Sequence, residues 1–192
     1  MNAETKSHLD NLHSKDANSR YESFQYVIKL TQQPVDWAYD VWNDLLLMLI
    51  QGDNHQRSIA AQLLSNLAKS DPENRMLQDV DKIFIVTRDE KFVTARHSLL
   101  ALWKIAIVNQ PLQKKIMDYL THRYTTSAGE KNCTLIRYDI MEVMRKIYNN
   151  TNDATITATA LALIETEEDP KYRKKYTTVW KDLIPKENKK KF

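Results

Sequence analysis

Residues 57–67 read Arg57-Ser58-Ile59-Ala60-Ala61-Gln62-Leu63-Leu64-Ser65-Asn66-Leu67, and residues 137–147 read Arg137-Tyr138-Asp139-Ile140-Met141-Glu142-Val143-Met144-Arg145-Lys146-Ile147. Counted from the arginine, both stretches are apolar at +3, +4, +6, +7 and +10. At 100° per residue these offsets share one side of a helix, so each stretch is an amphipathic helix opening with arginine. Three further segments keep most of the register: RYESFQYVIKL from Arg20, RHSLLALWKIA from Arg96 and RKKYTTVWKDL from Arg173. The fifth is the weakest, with Thr177 at +4. Successive arginines lie 37, 39, 41 and 36 residues apart, which marks an internal repeat.

Prolines supply a second, independent period. Pro34, Pro72 and Pro111 are 38 and 39 residues apart, and each precedes another apolar-periodic run: Val41 to Leu49, Met76 to Phe84, Leu112 to Leu120. Proline is tolerated in the first turn of a helix, where its missing N–H is no loss. Each period therefore holds two helices, one opening near proline and one carrying the arginine. Asp16, Asp53 and Asp169 each stand four residues before an arginine, in the polar breaks where a helix N-cap is needed.

Composition agrees with an all-α chain. Only two glycines, Gly52 and Gly129, occur in 192 residues, leaving little material for hairpins or phosphate-cradling loops. The lone Cys133 cannot form an internal disulfide and reads as a small packed residue. The N-terminus lacks the apolar run of a signal peptide, and the apolar stretch from Leu45 to Ile50 is too short to span a bilayer. A cytoplasmic protein is expected.

The order of helix, Asp-containing turn and Arg-led second helix resembles HEAT repeats over roughly residues 16–184. Repeats three and four depart from the pattern, because Asp89 and Glu130 lie seven residues before Arg96 and Arg137; longer turns are expected there. The resemblance implies an all-α, right-handed alpha-alpha superhelix of about five helix pairs, forming one domain over residues 1–185. A short first helix near residues 4–13 is expected to cap the stack. An Asp–Arg ladder between repeats is also implied, comprising Asp16, Arg20, Asp53, Arg57, Arg96, Arg137, Asp169 and Arg173. The shared stripe places Leu64, Leu100, Trp103, Met141 and Met144 in the core, with Trp180 at the same offset as Trp103.

Offsets +1, +5 and +8 face away from that stripe and would align into a ridge on the arginine-led helices, the concave side in HEAT-like solenoids. Tyrosine and arginine are favoured interface anchors. The expected partner-binding residues are His97, Lys104, Tyr138, Arg145 and Lys181. No catalytic residues, cofactor or metal site is expected: the five histidines show no ligand spacing, and no nucleophile motif is present. A non-catalytic interaction module for a protein or peptide is the leading expectation.

The alternative is a nucleic-acid-binding protein, or an enzyme similar to the HEAT-like DNA glycosylases. Residues 186–192 carry four lysines and one acid, which accounts for the whole net charge of +3. That tail is expected to be disordered, so nucleic-acid binding through it would be weak and salt-sensitive.

Overall fold

Helix boundaries follow the caps. The computed structural model describes residues 1–184, so the tail expected over residues 186–192 lies outside the described residues. Eleven α-helices form among those described: α1 (Ala3–Asn11), α2 (Ala17–Leu30), α3 (Ala38–Gln51), α4 (Asn54–Leu67), α5 (Met76–Val86), α6 (Phe92–Ala101), α7 (Trp103–Ala106), α8 (Gln110–Thr126), α9 (Cys133–Thr151), α10 (Ala154–Glu165) and α11 (Pro170–Thr177). A single 3₁₀ turn, Ala68–Ser70, extends α4, and no strand is present among the described residues.

Asp16, Asp53 and Asp169 are the N-caps of α2, α4 and α11, accepting the backbone N–H groups of Ser19, Gln56 and Lys171 at 2.7, 2.9 and 2.8 Å. Gln56 returns a bond to the Asp53 backbone, completing a capping box. Pro111 and Pro170 occupy first turns as expected. Pro34 and Pro72 instead stand four residues ahead of α3 and α5. In the second case Asp71 closes the turn by accepting the backbone N–H groups of Arg75 and Met76.

Two rows of helices result, each tied across neighbours at close to the repeat interval. In one row Trp42 of α3 donates its Nε1–H to Asp79 of α5 at 2.9 Å, Lys115 of α8 reaches Asp81, and Gln113 of α8 reaches Asp153 at the head of α10. In the other, Asn66 of α4 donates to the Ile28 carbonyl of α2, Thr94 of α6 to the Asn54 carbonyl of α4, Arg96 of α6 to Asp139 of α9, and Tyr176 of α11 to the Thr134 carbonyl of α9. The core lies between the rows. No helix among the described residues is long and apolar enough to cross a membrane.

All five stripe positions of α4 and of α9 are buried, Leu64, Met141 and Met144 among them, and so is Trp180. Two other segments keep the register only in part. Leu30 is exposed, because α2 lies at the end of its row and packs chiefly on α1 and α4. In the third segment Leu99, Leu102 and Ala106 are buried at their stripe positions, but Leu100 and Trp103 are half-buried rather than core. For Trp103 the reason is local: the Leu102 and Ile105 N–H groups bond three residues back, to Leu99 and Leu102. That tighter winding ends α6 and rotates the residues after it, so that Ile105, outside the stripe, is buried while Trp103 is left half-buried.

Candidate functional site

The expected ladder exists with other acids. Arg57 Nε donates to Asp89 at 2.6 Å, Arg96 holds Asp139 through two bonds of 2.6 and 2.9 Å, and Arg137 holds Glu167 at 2.8 Å. Each arginine thus reaches an acid of the following repeat. Asp16, Asp53 and Asp169 make no ion pair among the described residues, since their carboxylates are committed to capping. The guanidiniums also bind carbonyls of the turn that precedes them: Arg20 with Ser14, Arg57 with Gly52, and Arg173 with Glu167. Burial would raise the pKa of Asp89, but the Arg57 bond and the Lys91 N–H outweigh it and hold the carboxyl below its ordinary value.

The five partner-binding candidates do not form one surface. Ser58, Ser65 and Ala101, which the ridge required at the surface, are buried, with α4 packed directly on α6. Towards the C-terminal end, Arg145 donates to Asp182 at 2.7 Å, and its guanidinium lies 5.6 and 5.5 Å from the ring centroids of Tyr148 and Trp180. It is a packed residue with its charge matched, not a free anchor. Tyr138 lies under Lys175, whose Nζ is 4.8 Å from the ring centroid, and hydrogen bonding to Glu142 raises its pKa. Lys181 is exposed.

His97 and Lys104 fall at two separate depressions. Near His97, a groove of about 750 Å³ runs across the N-terminal ends of α2, α4 and α6. Its apolar surface comes from Tyr21, Phe24, Ile59, Phe92 and Val93, and Tyr21 and Val93 are 63% and 64% exposed, more than a buried-core role allows. Arg20, Lys91, His55 and His97 rim it, and no acid lines it. His97 Nδ1 lies 3.3 Å from Ser58 Oγ. Partial burial, with Arg96 adjacent, keeps the His97 imidazole below its usual pKa and neutral at pH 7.

Lys104 lines the second depression, at the C-terminal ends of α2, α4 and α7, where its ammonium donates to Asn66 Oδ1. Phe92, Val93 and Lys69 were missed by the stripe argument. The first two precede Arg96, outside the periodic offsets, and Lys69 lies in the 3₁₀ turn after α4. Unpaired bulky residues beside Lys91 at a helix start were the available signal. Among the described residues, no three His, Cys, Asp or Glu side chains gather as a metal site would require. Compared with known proteins, the chain matches no protein-family model and no curated protein.

Proposed function

We propose that the chain is a non-catalytic HEAT-like module, a right-handed alpha solenoid of five helix pairs acting in the cytoplasm. It binds a protein segment in the groove across α2, α4 and α6. The observation that carries this reading is the groove itself: exposed Tyr21 and Val93 over an apolar floor, with the cations Arg20 and Lys91 and no acid in its lining. Such a surface selects a peptide with a bulky apolar anchor and flanking Asp or Glu, because like charge on the peptide would be repelled at the rim.

Displayed random peptides selected on the full chain test it. The selected sequences should share an aromatic or aliphatic anchor with acidic flanks, and lose affinity as salt is raised, since rim charges are screened beyond about 8 Å at physiological ionic strength. The double variant Tyr21→Ser with Val93→Ser should bind them at least about tenfold more weakly, a loss of roughly 1.4 kcal/mol, with an unchanged melting temperature. Selection of basic peptides, or binding unaffected by the double variant, overturns the reading.

A further inference from the structure

We propose that the depression at the C-terminal ends of α2, α4 and α7 binds a small phosphate monoester, its phosphate at Lys69 and Lys104 and its ring against Trp103. The depression holds about 630 Å³; Trp103, Ile107 and Val108 supply its apolar lining, and Asn66, Lys69 and Lys104, with Gln32 and Gln33, its polar lining. No carboxylate lines it, and its two lysines take part in no ion pair among the described residues. Lys69 donates to the Gln32 carbonyl at 2.8 Å and Lys104 to Asn66, so these ammoniums are held in place by neutral acceptors. An ammonium has three protons, and one bond each leaves two on both for a ligand.

Like charges crowd here. Burial, then Lys69 and Lys146, push the Lys104 pKa down, and burial lowers that of Lys69. An anion relieves that repulsion. Lysines are point charges and lack the planar fork with which arginine selects a carboxylate, so charge decides: a monoester brings about −1.5 to −2 at neutral pH. The half-buried indole of Trp103, uncovered by the tighter winding after Leu99, gives a ring its packing surface.

This site shares no residue with the peptide groove, so either can fail alone. Trp37, Trp42 and Trp180 are buried and line no part of this depression, which makes Trp103 the indole that a ligand there would touch. Titration of the full chain with phenyl phosphate should give a saturable change in tryptophan emission, with inorganic phosphate and phenol each at least about tenfold weaker. Lys104→Met and, separately, Lys69→Met should each weaken phenyl phosphate by about tenfold or more, as expected for loss of a charged hydrogen bond. Thermal melts identify a variant that fails to fold, and the other then decides. Calorimetry on Trp103→Phe should show binding reduced but present. No saturable change, equal affinity for phenol, or unaltered binding in a folded lysine variant overturns the proposal. Tighter competition by a single-stranded oligonucleotide without a terminal phosphate would overturn it in favour of a nucleic-acid backbone.

Discussion

Arg57 and Asp89 show what one contact between repeats contributes. The Asp89 side chain is 4% exposed and meets an arginine from the preceding repeat, so its charge is stabilised only in the folded chain. Its folded pKa lies below the unfolded value of about 3.9. The stabilisation is therefore fully present above that unfolded value and is lost as pH falls through the folded pKa. Asp89→Asn should cost about 1–3 kcal/mol at pH 7 in urea melts, and its stability should fall less steeply than the parent's below about pH 4. Equal stability at pH 7 would sink the assignment. The arginine column was legible as a period, but its acids were not. Asp89, Asp139 and Glu167 stand at −7, +2 and −6 from their own repeat's arginine, so no single spacing marks them. Stacking selects them, after capping has claimed the aspartates at −4.

Single helices divide along the same line between local and tertiary causes. In α4 every signal agrees: Asp53 caps with Gln56, the apolar stripe is unbroken, and nine of its fourteen residues are buried. Asp53→Ala should cost about 0.5–2 kcal/mol through the lost cap. A double-mutant cycle should find Asp53 and Arg57 coupled by less than about 0.5 kcal/mol, and Arg57 and Asp89 by more. The reverse order would restore the aspartate at −4 to the ladder. The α6–α7 break was hidden because Ala101-Leu102-Trp103 contains neither glycine nor proline, the residues that announce a break in sequence. Its cause is the pair of three-residue hydrogen bonds around Leu102, which the apolar pattern cannot encode. The candidate site suffered accordingly: His97 and Lys104 were legible as offsets, but seven residues of continuous helix were assumed between them where the structure has an interruption.

At the scale of the molecule, contacts between neighbouring repeats make stability a local quantity. Hydrogen bonds between helices of one row join residues close to one repeat apart, so an element is held by its immediate neighbours. The neighbours differ greatly along the chain. Helix α4 packs against α2, α3, α5, α6 and α7 and buries nine residues. By contrast, α2 packs on α1 and α4 and buries only Ser23 and Val27, while α1 buries Thr5 and Leu9. Opening α1 and α2 exposes little apolar surface, whereas opening α4 requires undoing the repeats on both sides. Native-state hydrogen exchange should therefore be slowest in α4 and fastest in α1 and α2, with the end helices opening at a lower free energy than global unfolding. The Leu64→Ala variant supplies the control. Its cavity should cost about 2–5 kcal/mol and accelerate exchange in α4, while leaving the rates in α1 nearly unchanged because those amides exchange through local opening. If α1 and α2 exchange as slowly as α4, and Leu64→Ala accelerates all three equally, the chain unfolds as one cooperative unit and the nearest-neighbour account of the stack is wrong.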